Sequence, residues 1–429
     1  MNNQKVELLS PAGNLEKLKI AIKYGADAVY AGVSHFSLRI RAGKEFTFET
    51  FKEGIDYAHA RGKKVYATIN GFPFNSQIEL LKKHIATMAA LKPDGFIVAA
   101  PGVVKLCREI APEIDIHLST QANVLNYLDA QVFWDMGVKR IVVAREISLK
   151  DVVEIKKHLP DMEIEIFVHG SMCFAYSGRC LVSAVQMGRV PNRGSCANDC
   201  RFEYTLYAAN EDHSTLFRLE EEPGVGTYIF NSKDMNLASH IKEILDSGAV
   251  DSLKIEGRTK SPYYAAVTAK AYREAIDDYY AGKFEADKYQ KELYTTKNRG
   301  FTDAYLIHRP FEKTDSQNHD YALSKGSYEV TGLVTQDEEH FLCKYKVYPN
   351  EDIEIFTPMG EELVECENEI GKIFKKDGIY YINFKKILTE TNKELESVHS
   401  GNVNKIKLPG TLPYLTMFRV ENIDGTIVE

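Results

Sequence analysis

The stretch Lys64–Ala100, KVYATINGFPFNSQIELLKKHIATMAALKPDGFIVAA, decides the fold. It opens on a β-branched run, KVYATIN, and passes through a turn containing Gly and Pro. It continues as SQIELLKKHIATMAAL, with apolar residues three and four apart, and closes on a second apolar run, GFIVAA. Short apolar runs bounded by turn residues read as buried strands, and the three- and four-residue spacing is one face of a helix. Two strands joined by a helix in this way form a parallel β–α–β unit.

Working outward, the unit recurs through the first 280 residues. Further strands are VELLS, AVYAG, DIHLST, RIVVAR, IEIFVH and SLKIEG, and further helices include NLEKLKIAIKYGA, TFETFKEGIDYAHARG and LASHIKEILDSG. Eight strands alternating with helices is the count of an α/β (β/α)8 TIM-like barrel. An open doubly wound sheet is the alternative, but no G-x-G-x-x-G follows the first strand. Beyond about residue 320 the texture changes to SYEVTGLVTQ, HFLCKYKVY, DIEIFTPMG and GIYYINF, the alternating strands of a small all-β, barrel-like domain. The expected division is 1–310 for the barrel, with a four-cysteine insertion at 170–202, and 320–429 for the β domain.

The 429 residues carry a net charge of −8, of which residues 1–310 contribute +1 and residues 311–429 contribute −9. An acidic tail domain does not argue for a nucleic-acid partner, whereas a local basic patch on the first domain still could. No run approaches the roughly 18 apolar residues of a membrane span, and MNNQKVELLSPAG lacks a basic-then-apolar leader. The expectation is a cytoplasmic protein with no membrane partner, where clustered thiols are metal ligands or catalytic groups before they are disulfides.

In a barrel of this kind chemistry sits at the C-terminal strand ends. Position alone selects Asn70, Ser119, Gln121, Arg145, Glu146, His169, Glu256 and Arg258, with Arg39 and Arg41 in the loop after the second strand. Of seven cysteines, Cys173, Cys180, Cys196 and Cys200 fall in one window with spacing C-x6-C-x15-C-x3-C, while Cys107, Cys343 and Cys366 lie in apolar or strand-like contexts. Four thiolates from one loop suit an iron–sulfur cluster or a tetrahedral zinc. The wide first pair favours the cluster over a zinc knuckle. Arg179, Arg189, Arg193 and Arg201 thread the same loop against one acid, Asp199, and can offset cluster charge or hold an anion. Plainer readings stand beside these: His169 satisfying backbone groups at a strand end, Arg145 paired with Glu146, and Arg39 and Arg41 in a solvated loop. A Cys173–His169 protease dyad would leave three cysteines unexplained, and neither H-E-x-x-H nor G-x-S-x-G is present.

The motif Glu165-x-Phe167-x-x-Gly170-Ser171-Met172-Cys173-x4-Gly178-x-Cys180-x-Val182-Ser183 resembles that of the collagenase-like peptidase family U32. The resemblance extends over LLSPAGNLEKL, DAVYAGV, FSLRIRA, LSTQANVLN, VVAREISL, NSKDM, SLKIEGRTKSPYYAAVTAKAYREAID and NRGFT, and is greatest to the branch that makes 5-hydroxyuridine in tRNA. It implies a barrel whose four cysteines hold a [4Fe-4S] cluster, with zinc as the alternative. It also implies oxygen-independent, prephenate-dependent hydroxylation of the tRNA wobble uridine, with tRNA and an electron-donating or accessory protein as partners. The alternatives within the family are hydroxylation of ribosomal RNA and collagenase-like proteolysis. On this resemblance Arg39, Arg41, Asn70, Gln121, Arg145 and Arg258 bind substrate, the arginines clamping carboxylates, and His169, Glu146 or Glu256 handle protons.

Overall fold

A computed structural model describes residues 5–33, 36–38, 46–205, 207–209, 216–218, 231–310, 313–318, 323–324 and 326–422. Eight parallel strands, β1 (Glu7–Pro11), β2 (Ala28–Ala31), β3 (Lys64–Ile69), β4 (Gly95–Val98), β5 (Asp115–Leu118), β6 (Arg140–Val142), β7 (Glu163–Ser171) and β8 (Ser252–Ile255), are bonded in that order. β8 bonds both β7 and β1, which closes the barrel.

Helices pack outside. Ile78–Ala90, between β3 and β4, buries Leu81, Ile85 and Met88 at the spacing visible in the sequence. Asn14, Thr47, Asn126, Ser148 and Ser261 each cap a helix by accepting a free N–H, worth about 1 kcal/mol apiece. Strand alternation divides the apolar residues between two cores. Leu8, Val29, Val65, Phe96, Ile166 and Leu253 face the helices, and Leu9, Ala28, Tyr30, Tyr66 and Ile97 fill the barrel.

The barrel floor is charged. Arg140 lies 3.2 Å from Glu165 and also pairs with Glu7 and Glu163, and Lys254 Nζ is 2.7 Å from Glu165, which is fully buried. Burial alone disfavours the Arg140 charge, but Glu7 and Glu165 hold it above its ordinary pKa. Ions persist in a core only when paired in this way.

β7 runs past the barrel rim. Its end pairs antiparallel with Asp234–Asn236, which returns the chain after the cysteine loop. Its register with β8 slips by one residue: Lys254 opposes Phe167, but Ile255 opposes His169.

The C-terminal region forms an eight-stranded antiparallel sheet that includes Tyr328–Val334, His340–Cys343, Asp352–Phe356, Gly371–Lys376, Ile379–Phe384 and Met417–Glu421. Phe341, Ile353, Ile382, Phe384 and Phe418 form its core. It is locked to the barrel: Tyr24 donates its hydroxyl to the carbonyls of Phe356 (2.9 Å) and Leu415 (3.0 Å), and Arg419 bridges Glu354 of the sheet and Glu292 of the barrel. Among the described residues no helix is long and apolar enough to cross a membrane.

Candidate active site at the barrel mouth

A cavity opens at the C-terminal strand ends, lined by Asn70, Ser119, Gln121, Arg145, Glu256 and Arg258, with Cys173 at its rim and Lys254 below. Asn70 follows β3 and donates to Ser119 Oγ at 3.3 Å, while its Oδ1 accepts Leu38 N–H at 3.2 Å. Arg145, past β6, stacks over the Phe167 ring at 4.0 Å. Its Nη2 lies 3.8 Å from Glu256, and its Nη1 lies 4.0 Å from Cys173 Sγ. Glu256 also accepts the Tyr30 hydroxyl at 3.2 Å. Arg258 donates to Ser37 Oγ (2.9 Å), Thr68 Oγ1 (3.1 Å) and the Leu38 carbonyl. The site therefore holds two guanidiniums from different strand ends and one carboxylate beside Arg145, a set that can grip an anion and exchange a proton.

The plainer reading of an Arg145–Glu146 ion pair does not hold, and Glu146, expected among the proton-handling groups, does not line the cavity. Glu146 leaves the cavity and accepts the Ser177 N–H at 2.9 Å, pinning the cysteine loop. Gly178 lies so close to β5's end that a Cβ there would come within 2.0 Å of the Gln121 carbonyl oxygen. Asn192 donates to the Gly178 carbonyl (2.7 Å), and Arg193 reaches Gln77 Oε1 (2.9 Å). The loop is thus laid across the mouth by contacts to the segments after β3, β5 and β6.

Within it the four thiols share one neighbourhood. Burial raises the Cys200 thiol above its ordinary pKa; Arg201 opposes this, and Cys173, Cys196 and Cys180 push it further up. Burial likewise raises Cys180, with Cys173 and Cys196 among its charged neighbours. Among the described residues no three His, Cys, Asp or Glu side chains close on one point as around a single bound ion. The donor set is all sulfur, which suits a soft centre, and Arg145 and Arg201 stand beside it. Cys107 and Cys343 are buried core residues, and Cys366 is half-buried.

His169 is not brought to the mouth. It is 1 % exposed, ringed by Tyr264, Tyr272 and Phe301, with Nδ1 3.4 Å from the Tyr272 hydroxyl. Burial pushes its pKa down to about 3, so the ring is neutral. The slip between β7 and β8 is the cause, because it turns His169 to the side of Ile255, which faces the helices. This corrects its expected place among the proton-handling groups and leaves Cys173 without it as a dyad partner. Arg39 and Arg41 lie outside the described residues.

Lys254 is the charged cavity residue that sequence reasoning missed, and Tyr30, Thr68 and Thr120 also line the cavity unannounced. Lys254 points inward between the rings of Tyr30 (4.4 Å) and Phe167 (5.6 Å). The signal was there: in SLKIEG, Lys254 and Glu256 share a strand face.

Comparison with known proteins adds four findings. The model of Peptidase family U32 matches residues 13–316. The chain is 64% identical over 417 residues to the tRNA hydroxylation protein P of Helicobacter pylori, covering 97% of this chain and 99% of that one. It is 40% identical over 413 residues to the tRNA hydroxylation protein P of Escherichia coli (86% and 90% covered), and 29% identical over 392 residues to a collagenase of Porphyromonas gingivalis (88% and 87% covered).

Proposed function

Since the chain belongs to peptidase family U32, we propose that it hydroxylates tRNA, converting the wobble uridine to 5-hydroxyuridine without molecular oxygen and with prephenate as the small co-substrate. The observation that carries this reading is the sharing of one cavity by Arg145, Arg258, Glu256 and Cys173, in a chain similar along nearly its whole length to proteins named for tRNA hydroxylation. Arg145 and Arg258 bind the carboxylates, Asn70 and Gln121 orient the substrate, and Glu256 moves a proton. Cys173, Cys180, Cys196 and Cys200 hold a [4Fe-4S] cluster, which supplies one-electron chemistry at the cavity rim. Arg145 then serves two ends, since it faces both Glu256 and the Cys173 sulfur. The name of the collagenase relative favours proteolysis as a second reading. Against it, His169 is turned toward Tyr272 and gives the thiols no base.

Two measurements test the proposal. Nucleoside mass spectrometry of tRNA from a strain lacking the chain should show loss of 5-hydroxyuridine and its derivatives, and an unchanged profile overturns the assignment. In purified protein, Ala at any one of the four loop cysteines should lower iron and activity, whereas Cys107→Ala, Cys343→Ala or Cys366→Ala should not. Full iron retention in two of the four loop variants defeats the cluster. In the same preparations, Arg145→Lys should keep iron but weaken prephenate binding by roughly 2–5 kcal/mol in calorimetric titration, because an ammonium cannot reproduce the planar fork.

A further inference from the structure

A second cavity, about 600 Å³, lies between the barrel and the C-terminal sheet, within the roughly 300–1,000 Å³ range of ligand clefts. Its walls carry Tyr263, Tyr264 and Tyr328 and three lysines, Lys260, Lys297 and Lys344, against one acid, Glu329. It adjoins the catalytic cavity along the chain. Arg258 lines the one, and the next two residues, Thr259 and Lys260, line the other. Tyr264, in the groove wall, donates its hydroxyl to the carbonyl of Glu256 at 2.8 Å.

Lys344, in the cavity wall, begins the segment Lys344-Tyr345-Lys346-Val347-Tyr348. Both tyrosines are exposed, at 46% and 40%, and both flanking lysines face solvent. Alternating cations and exposed rings on an otherwise acidic domain fit a flexible polyanion whose bases stack and whose phosphates pair with lysine. A folded protein partner gives no reason for a run of lysines beside a catalytic mouth in a chain of net charge −8.

We propose that this groove and its Lys344–Tyr348 rim bind the single-stranded RNA flanking the target nucleotide, so that the strand runs from the C-terminal sheet into the barrel mouth. The proposal rests on the tRNA-hydroxylating reading and adds where the RNA lies. It gives the acidic domain a role on one local face, against its overall charge.

The test is binding of an unmodified tRNA transcript to the full chain, followed by fluorescence anisotropy across salt concentrations. Lys297→Ala/Lys344→Ala/Tyr345→Ala should bind roughly tenfold more weakly, with a salt slope lowered by about one to two. Its iron content and melting temperature should match the wild type. Lys375→Ala/Lys376→Ala removes the same charge from exposed positions on a strand separated from Tyr328–Val334 by three others in the sheet, and should bind as the wild type. Equal weakening in both variants, or none in the first, overturns the groove. So does loss of a bound protein rather than of RNA affinity. Failure of the underlying reading has a different signature: tRNA from cells that contain the chain would lack the hydroxylated nucleoside, whatever the variants bind.

Discussion

His169 leaves the place that strand alternation by itself suggests, and Lys254 keeps its own. Counting by twos along β7 from Glu165 and Phe167 puts His169 inside the barrel, yet the one-residue slip against β8 turns it out, while Lys254 stays in. The outward histidine has a consequence for stability. Folded His169 remains neutral down to about pH 3, whereas in the unfolded chain it takes a proton near its ordinary 6.5. Between those values the unfolded state binds more protons, so the folded state is at full advantage above about 6.5 and loses stability as pH falls toward 3. Each pH unit in that window is worth about 1.4 kcal/mol. His169→Gln should therefore lose about 2 kcal/mol less than the wild type between neutral pH and roughly pH 5, read from denaturant midpoints at both. Identical pH slopes would mean that His169 is protonated in the fold. His117, also held neutral by burial and by Arg140, keeps some slope in either protein.

At the scale of the element, the cysteine loop is a long insertion held by a few contacts. Gly178 is the tightest of them, with φ +75° and the Gln121 carbonyl where a Cβ would go. Gly188, in the same loop, also has a positive φ, at +65°, but nothing within 4 Å of a Cβ. The two separate backbone strain from close approach. Gly188→Ala should cost about 1–2 kcal/mol of local strain and keep iron and activity, whereas Gly178→Ala should lift the loop from the mouth and lose both. Equal iron in the two variants would show that the loop does not need its seat on β5. Glu146 belongs to this scale as well: at a strand end it reads as a catalytic acid, and its Oε1 accepts the Ser177 N–H.

For the whole molecule, the groove exists only while the sheet stays docked. Arg419 is 5% exposed and contacts Glu354, Glu292 and the Tyr263 hydroxyl across the joint. Arg419→Met should destabilise the protein by about 3–5 kcal/mol, because it leaves the buried Glu354 and the half-buried Glu292 without their cation. Arg419→Met/Glu354→Gln should recover part of that loss. Scanning calorimetry should show the sheet melting ahead of the barrel in the single variant, and one unshifted transition would mean that the joint holds without the ion pairs.

The eight strand runs and the helices between them were legible because periods of two and of three to four residues are local properties of the chain, and the βα alternation then restricts the topology. The mouth was legible for a related reason: Asn70, Ser119, Gln121, Arg145, Glu256 and Arg258 each fall within three residues of a strand's C-terminal end, and a barrel gathers those ends in one place. What faces what was decided by the tertiary structure alone. Arg145 meets Glu256 rather than its neighbour Glu146, Lys254 meets Glu165 beneath the cavity, and His169 turns away from it. Each depends on register between strands far apart in sequence, and a slip of one residue reverses a side chain's direction without leaving any mark on local spacing.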